Sequence, residues 1–450
     1  MMKQIETTYE NNLRRTRSLE YAPQPDDGRQ ELAILNLYPG ETFQTMLGFG
    51  GAFTEAAGWT LAQMRSEVQG QMLDAYFGPE GLGYTLGRTH IDSCDFALDN
   101  YSAVTDPSDE RLDTLTLERD ERYILPLCRA AQVRTPGLRM MLSPWSPPAF
   151  MKSNGQKNGG GKLVPMYRAR WAEYLCRYVE EYQKRGIPIF ALSVQNEPNA
   201  VQTWDSCVYL AEEERDFIKE YLAPALARHG FGSLDLTVWD HNKDRLFDRV
   251  DTICDDEAVN AAVGAAGFHW YSGDHFEAVS LLARKYPEKK LIFTEGCIEY
   301  SRFAQDSALQ NAQRYAHEMI GSLNAGMHVF LDWNLYLDAQ GGPNHAGNYC
   351  DAPIMADVEE GTFRTNLSYD YIGHFSRYLK PGAVRIGVTR FTERVELTAF
   401  RNPDGSLAAV ALNRTGEPID AFLRLQEKLY PLTLAPDSIS TLLLEPGEWR

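Results

Sequence analysis

The chain has 450 residues, of which 44% are hydrophobic and 11% aromatic, a composition typical of a globular protein with a large core. Its formal net charge of -18 disfavours nucleic acid and anionic membrane surfaces as partners, because binding to phosphate groups depends on an excess of lysine and arginine. Seven cysteines without a CxxC pair fit neither a disulfide framework nor a zinc site, so we expect reduced thiols in a cytoplasmic protein.

Residues 1–44 are predicted to form an amino-terminal segment of their own. The first residues are polar and partly basic but have no apolar stretch, so we expect no signal peptide. No apolar run in the chain reaches the roughly 20 residues that a membrane-spanning helix needs. Residues 31–37 alternate apolar and polar side chains like an edge strand, and the turn residues Pro39 and Gly40 follow. Since no helical pattern accompanies this strand, we expect it to pair with a distant part of the chain.

Residues 45–380 show a repeated pattern in which a short apolar strand precedes a helical stretch. The predicted strands are 46–54, 84–92, 138–146, 189–197, 234–241, 264–271, 291–295 and 328–334. The predicted helices include 61–77, 119–131, 167–185, 211–229, 276–286 and 307–324. Eight such units predict an α/β fold, a (β/α)8 TIM barrel with insertions. A doubly wound open sheet is the alternative, but no GxGxxG motif follows any of the strands.

Residues 381–450 change to short strands without a helical period. The predicted strands are 384–388, 395–401, 407–413, 422–425 and 439–444. They are separated by turn sequences such as Asn402-Pro403-Asp404-Gly405. We therefore predict a small β-sandwich domain, completed by the strand of the amino-terminal segment and so built from both ends of the chain.

Polar side chains gather where the predicted barrel strands end, which is the face on which TIM barrels carry their active sites. Glu197 ends strand four in the sequence Asn-Glu-Pro, and Pro198 prevents regular strand pairing there. Glu295 ends strand seven directly before Gly296. The other polar and aromatic residues at these ends are Arg88, His90, Asp92, Asp95, Trp145, Gln195, Asn196, His269, Trp270, Tyr271, Asp332, Trp333 and Asn334.

Two carboxylates among aromatic rings and hydrogen-bond donors are what glycoside hydrolysis requires. One carboxylic acid protonates the leaving oxygen, the other attacks or activates water, and rings and polar groups hold the sugar. Each glutamate alone is more often a solvated loop residue, and a carbohydrate-binding protein without catalysis can have the same pocket. An acyl hydrolase is a further alternative, but it needs a nucleophile elbow and the chain contains no GxSxG.

Several individual residues also have structural interpretations. Arg88 and Asp92 can form a buried ion pair inside the barrel, and Trp270 is better explained as a core residue. Asp240 and His241 end strand five and permit a metal site only in outline, because such a site normally needs three or four converging ligands. We expect no metal and no organic cofactor.

Sequence stretches along most of the chain match the motifs of one family. They are GFGGAFTEAAG at 48–58, SCDF at 93–96, LSPWSPPAFMKSNG at 142–155, QNEP at 195–198, HWY at 269–271, TEG at 294–296, DWNL at 332–335, GGPNHAGNYCDAPI at 341–354 and GHFSRYLKPGAVRI at 373–386. In these stretches the chain resembles glycoside hydrolase family 30, which includes glucosylceramidase.

The resemblance implies a retaining β-glycosidase in which Glu197 is the acid/base and Glu295 is the nucleophile. It also implies substrate-binding residues, namely Asp95, Trp145, Asn196, His269, Tyr271, Trp333 and Asn348, with Arg88 in support. The expected substrates are small soluble β-glucosides, and the expected partner is a small-molecule or oligosaccharide β-glycoside. Endo-β-1,6-glucanase, β-xylosidase and β-fucosidase activities remain alternatives. The sequence does not determine the oligomeric state. We expect the neighbouring carboxylate to raise the pKa of Glu197.

Overall fold

The computed structural model describes residues 1–449, so Arg450, the last residue of the predicted 381–450 domain, lies outside the described residues. The chain divides into two compact units. Residues 1–48, 305–328 and 365 onward form the first unit, and residues 49–304 and 329–364 form the second. Within residues 1–449, none of the helices combines the length and the apolar character that crossing a bilayer would require.

The chain begins with a hairpin that the sequence did not predict. Strands β1 (Met2–Glu10) and β2 (Leu13–Tyr21) pair antiparallel, and β3 (Gln24–Pro25) and β4 (Ile34–Thr45) follow. The buried positions of β1 are largely polar, since Gln4 and Glu6 are both fully buried. Gln4 Nε2 donates a hydrogen bond to Ser440 Oγ at 2.8 Å, and Arg17 Nη2 lies 2.6 Å from Glu6 Oε1. Hydrogen bonds therefore compensate the burial of these polar side chains. Because the buried positions are polar, the sequence of β1 shows no alternation of apolar and polar residues.

The second unit contains a closed barrel of eight strands. These are β5 (Gly48–Ala52), β6 (Leu86–Ile91), β7 (Arg139–Pro144), β8 (Ile189–Ser193), β9 (Asp235–Asn242), β10 (Val263–His269), β11 (Lys290–Glu295) and, after the short β12 (Ile298–Glu299), β13 (Val329–Asp332). The strands follow one another around the barrel in chain order, and neighbours pair in parallel. This confirms the predicted TIM barrel.

The helices largely follow the predicted pattern. They are α1 (Glu55–Gln63), α2 (Ser66–Phe77), α3 (Ile124–Arg134), α4 (Arg168–Lys184), α5 (Ala211–Phe217), α6 (Ala223–Arg228), α7 (Leu246–Ile253), α8 (Glu257–Ala262), α9 (Phe276–Lys285), α10 (Tyr300–Phe303), α11 (Ala308–Ala325), α12 (Leu367–Ser376) and α13 (Pro446–Trp449). The predicted helix 61–77 is wrong as a single element, because Met64 and Arg65 adopt extended backbone conformations that separate α1 from α2. The predicted helix 211–229 is helical without a break to Arg228, because a π-helical turn, Ile218–Leu222, joins α5 to α6.

Small sheets occupy the segments that follow the last barrel strands. Strands β14 (Tyr336–Asp338), β16 (Ile354–Asp357) and β17 (Thr362–Thr365) form a three-stranded sheet. Strand β15 (Cys350–Asp351) pairs antiparallel with β12. These short elements fix the backbone directly after the strand that ends in Glu295.

The carboxyl-terminal strands form the predicted all-β domain together with the amino-terminal ones. They are β18 (Val384–Arg390), β19 (Val395–Arg401), β20 (Leu407–Asn413), β21 (Ile419–Leu425), β22 (Lys428–Leu434) and β23 (Ser438–Leu444). The strand order is β2-β1-β23-β20-β19-β18-β4-β21-β22-β3. Strand β4 therefore lies in the interior of the order, so its prediction as an edge strand was wrong, and Pro39 and Gly40 lie within it. Strand β22 was not predicted because Pro431 interrupts its pattern.

Candidate active site

Glu197 lies in the loop after β8, where backbone hydrogen bonds hold it in place. The strand ends at Ser193, four residues earlier than predicted. The amide of Asn196 donates to the carbonyl of Pro144 at 2.8 Å, and the amide of Glu197 donates to the carbonyl of Asp240 at 3.0 Å. Glu197 has a φ of +47°, a left-handed conformation that costs roughly 1–3 kcal/mol in a non-glycine residue. The surrounding structure thus fixes the direction of this carboxylate.

A cavity of about 180 Å³ opens between the loops at the carboxyl ends of the barrel strands. Its lining contains eight of the predicted site residues, namely Asp95, Trp145, Asn196, Glu197, Tyr271, Glu295, Trp333 and Asn348. The two remaining predicted residues, Arg88 and His269, are fully buried and reach the glutamates through hydrogen bonds. The structure therefore brings all the predicted site residues together.

Arg88 links the groups around the nucleophile candidate. Its Nη1 donates to Glu295 Oε2 at 2.7 Å, and its Nη2 donates to Asn196 Oδ1 at 2.7 Å and to Asp240 Oδ2 at 3.0 Å. The guanidinium carbon also lies 4.8 Å from the ring centre of Trp145. A fully buried arginine with this many partners orients Glu295 rigidly and balances its charge.

The alternative ion pair between Arg88 and Asp92 does not form. Asp92 Oδ2 instead lies 3.5 Å from Lys157 Nζ. Asp240, considered in outline as a metal ligand, is paired with Arg88 and with His269. Its pKa is lowered because the charge of Arg88 and the contacts with His269 outweigh the effect of burial.

His269 lies between two carboxylates. Its Nδ1 is 3.1 Å from Glu197 Oε1, and its Nε2 is 3.2 Å from Asp240 Oδ1. Only the protonated imidazolium can donate from both ring nitrogens at once. Burial would lower the pKa of His269, but the charge of Glu295 and the bonds to Asp240 and Glu197 raise it to about 9. His269 is therefore a protonated imidazolium at neutral pH.

The prediction that the pKa of Glu197 is raised was wrong. Burial does raise it, but the charge of His241 and the hydrogen bond and charge of His269 dominate and lower the pKa to about 2. His241 Nε2 lies 3.6 Å from Glu197 Oε1. The sequence could not show this because both histidines come from other strands.

Glu295 receives hydrogen bonds on both carboxylate oxygens. Tyr271 Oη donates to Oε1 at 3.0 Å, and Arg88 donates to Oε2. Burial raises the pKa of Glu295 and the charge of Glu197 adds to it, while His269 and Arg88 offset part of the increase. The carboxylate is thus held in one orientation at the edge of the cavity.

The two glutamates approach each other closely. One oxygen of Glu197, one oxygen of Glu295 and one ring nitrogen of His269 lie within 4.8 Å of one another. These atoms are of the types that coordinate divalent cations. Arg88 and protonated His269, however, already balance the negative charge of the carboxylates. The arrangement fits two carboxylates that act on one small group between them.

Aromatic and amide groups form the opposite part of the cavity. The rings of Trp145 and Trp333 stack with centroids 5.2 Å apart. Asp95 accepts a hydrogen bond from Asn344 Nδ2 at 3.2 Å and one from Asn348 Nδ2 at 3.4 Å. Burial and the charge of Glu295 raise the pKa of Asp95 to about 7, against the effect of the two amides. Ring faces beside a carboxyl group and amides are suited to binding a sugar.

Some lining residues were not singled out from the sequence. They are Phe96, Gln202, Trp204, Asn242, Glu299 and Arg302. Phe96, Gln202 and Trp204 lie on loops after β6 and β8, where no periodicity marks the side that faces the cavity. Asn242 ends β9, and Glu299 and Arg302 lie in the short elements β12 and α10. Asp240 was noticed at its strand end, but its pairing with Arg88 required the barrel geometry.

Comparisons with known proteins agree with this arrangement. The model of the glycosyl hydrolase family 30 TIM-barrel domain matches residues 46–379, and the model of the family 30 beta sandwich domain matches residues 382–442. Putative glucosylceramidase 4 of Caenorhabditis elegans is 31% identical over 429 residues, covering 90% of this chain and 82% of the relative.

Two solved structures show the same architecture. SrfJ from Salmonella typhimurium has a TM-score of 0.93 and 39% identity, covering 99% of this chain and 100% of that one. The endo-β1,6-glucanase BT3312 has a TM-score of 0.87 and 26% identity, covering 98% of this chain and 99% of that one. The similarity thus extends over both units.

Proposed function

The chain belongs to glycosyl hydrolase family 30, whose members are retaining glycoside hydrolases, and we propose that it is a β-glucosidase acting on small soluble β-glucosides. Glu295 is the proposed nucleophile and Glu197 the proposed acid/base. The observation that carries this proposal is that one carboxylate oxygen of Glu197 and one of Glu295 lie within 4.8 Å of each other, which favours the shorter of two characteristic separations. About 5–5.5 Å between the carboxyl groups suits direct attack on the sugar, whereas about 6.5–9.5 Å leaves room for a water molecule.

In the first proposed step, the carboxylate of Glu295 attacks the anomeric carbon, and the bond to the leaving oxygen breaks. Glu197 gives a proton to that oxygen. In the second step, Glu197 takes a proton from water, the water oxygen attacks the same carbon, and the ester to Glu295 breaks. Arg88 and Tyr271 hold Glu295 in position through both steps.

Glu197 needs a proton before the first step, and His269 can supply it. His269 is protonated at neutral pH, and its Nδ1 is 3.1 Å from Glu197 Oε1. His269 is already fully buried, whereas the Glu197 side chain is 13% exposed, so a sugar that fills the cavity removes water from the Glu197 carboxylate and favours its neutral form. Substrate binding therefore shifts the proton toward Glu197.

Hydrolysis should release the β-anomer first. Two displacements at the same carbon restore the starting configuration, so a β-glucoside gives β-glucose before mutarotation mixes the anomers. Proton NMR in the first minutes of the reaction measures this directly. If the α-anomer comes first, Glu295 acts as a base for water, and the covalent mechanism has to be abandoned.

The size and polarity of the cavity support a small, soluble substrate. Its volume of about 180 Å³ is below the roughly 300–1,000 Å³ of pockets for drug-sized ligands, which suits a single sugar ring. Gln202, Asn242, Glu299 and Arg302 contribute polar and charged groups to the lining. These groups favour a polar leaving group over a lipid chain.

An endo-acting β-1,6-glucanase is the second candidate. Trp204 is half-buried in the cavity lining, close in sequence to Gln202. An indole ring beside amide groups suits a second sugar as the leaving group. A panel of aryl β-glucosides, xylosides, fucosides and galactosides, tested together with a β-1,6-glucan, separates the two candidates. If none of these compounds is hydrolysed, both candidates are contradicted.

Trp333 should contribute to binding in the transition state. Trp333→Ala is expected to cost about 1–3 kcal/mol of transition-state stabilisation, measured as a fall in kcat/KM, because a buried aromatic contact is lost. Trp171 of α4 is equally buried but lies outside the cavity lining. Trp171→Ala is therefore the matched control, expected to lower Tm while the folded enzyme keeps its kcat/KM. If Trp333→Ala lowers only Tm, Trp333 is a core residue.

A further inference from the structure

Two buried cysteines lie side by side next to the nucleophile candidate. Cys297 Sγ is 3.0 Å from Cys350 Sγ, and both residues are at most 2% exposed. Cys297 comes two residues after Glu295, and Cys350 begins β15. Strands β12 and β15 pair with Glu299 opposite Cys350, which fixes the two backbone segments against each other. We call Cys297 and Cys350 the thiol pair.

We propose that the thiol pair is an oxidation site at which a peroxide forms a disulfide that inactivates the enzyme. The sulfur atoms of a disulfide are about 2.05 Å apart, so these two have to approach each other by about 1 Å. The short existing distance and the paired strands make this a small local movement. This modification is separate from the hydrolytic reaction.

A small oxidant can reach the pair through the sugar cavity. Cys297 contributes to the cavity lining, together with Glu295 and Trp333. The thiolate of Cys297 attacks one peroxide oxygen, the O–O bond breaks, and the products are a sulfenic acid and water. The thiolate of Cys350 then attacks this sulfur, the S–O bond breaks, and a second water leaves. Two thiols lose two hydrogens in total, and one peroxide is reduced to two waters.

The disulfide would disturb the groups that orient Glu295. Cys297 Sγ lies 3.5 Å from Tyr271 Oη, which donates to Glu295 Oε1 at 3.0 Å. Gly296 lies between Glu295 and Cys297 in a tightly packed position, since a Cβ there would be 2.6 Å from Phe293 Cζ. The backbone has little space to absorb a shift of Cys297, so the shift reaches Glu295. A displacement of about 1 Å at a reacting group can cost about 100-fold in rate.

The surroundings make the oxidation slow at neutral pH. Burial raises the pKa of both thiols, and the charge of Glu299 raises both further. The charges of Asp95 and Glu295 also raise the pKa of Cys350, while the hydrogen bond with Tyr271 lowers that of Cys297. Because the thiolate is the reactive form, oxidation should accelerate as the pH rises. Mildly alkaline conditions are therefore the suitable ones for the test.

The test treats the purified full chain with hydrogen peroxide at mildly alkaline pH. We expect two thiols to disappear, a cross-linked peptide containing Cys297 and Cys350 to appear by mass spectrometry, and kcat to fall by about 10- to 100-fold. Dithiothreitol should restore both thiols and the activity. Activity is measured with whichever aryl β-glycoside the panel shows to be hydrolysed, whereas the cross-link is measured independently of any substrate.

Two variants separate the thiol pair from other oxidation. Cys128→Ser removes a buried thiol of α3 and should behave like the wild type. Cys350→Ser leaves Cys297 without a partner, so peroxide should carry Cys297 to the sulfinic acid, which dithiothreitol does not reverse. Inactivation and recovery of Cys350→Ser as in the wild type would overturn the proposal. A wild-type enzyme without the cross-link, or a cross-linked enzyme with full activity, would also overturn it.

Discussion

Glu295→Gln is expected to lower kcat by several orders of magnitude, because an amide cannot form the covalent glycosyl ester on which both steps depend. The substitution keeps the size of the side chain, and its amide oxygen can still accept a bond from Arg88. The loss should therefore reflect chemistry rather than folding. Initial rates with an aryl β-glucoside and the Tm of the same preparation measure the two effects separately.

Glu299→Gln is the matched control for this variant. Glu299 also lines the cavity and changes in the same way from acid to amide, but its loss should be far smaller because it forms no bond to the sugar in the proposed steps. A 2-fluoro sugar that traps the covalent intermediate should label the peptide that contains Glu295. Near wild-type activity of Glu295→Gln, or labelling at Glu299 or Asp95, would refute the assignment of the nucleophile.

The convergence of the two glutamates was predictable from the sequence because of a general property of the fold. Parallel strands of a barrel end at one face, so polar residues at the ends of separate strands meet there. Glu197 and Glu295 were placed in this way by their positions before Pro198 and Gly296. The expected TIM barrel is confirmed, and the observed strands lie within one or a few residues of the predicted bounds.

The electrostatics of the site could not be predicted in the same way. The pKa of Glu197 depends on His269 and His241, which come from neighbouring strands and lie 3.1 Å and 3.6 Å from its Oε1. Asp240 has a φ of +46°, and its carbonyl accepts the amide of Glu197. Such cross-strand contacts depend on register and on local backbone conformation, which apolar periodicity does not record.

The amino-terminal hairpin shows a second limit of pattern analysis. Strand β2 is exposed along most of its length, and β1 buries the polar side chains of Gln4 and Glu6 as well as Met2. Strand β4 alternates like an edge strand but lies between β18 and β21. Strand β1 pairs with β23, and β4 pairs with β18 and β21, all from a distant part of the chain, so for these two strands the pairing decides the burial and the local sequence does not.

Glu197→Ala should affect substrates according to how much protonation their leaving group needs. A poor leaving group, such as an alkyl alcohol, depends on the proton from Glu197 and should react far more slowly. An activated aryl group such as a dinitrophenolate leaves without protonation, so formation of the glycosyl-enzyme should be largely preserved. Measuring kcat/KM over a series of leaving groups should therefore give a much steeper dependence on leaving-group pKa than in the wild type.

Azide should then restore turnover of the activated substrate by the Glu197→Ala variant. Removing the carboxylate leaves His269 and His241 facing an empty volume at the cavity, and a small anion compensates the charge of protonated His269 there. Azide needs no general base, so it can attack the glycosyl-enzyme where water cannot, and retention requires a β-glycosyl azide as the product. Addition of formate, a weaker nucleophile of the same charge, distinguishes charge compensation from attack, because only attack produces a new glycosyl adduct. Equal losses for all leaving groups, with no glycosyl azide formed, would show that Glu197 acts through the structure of the site and not as the proton donor.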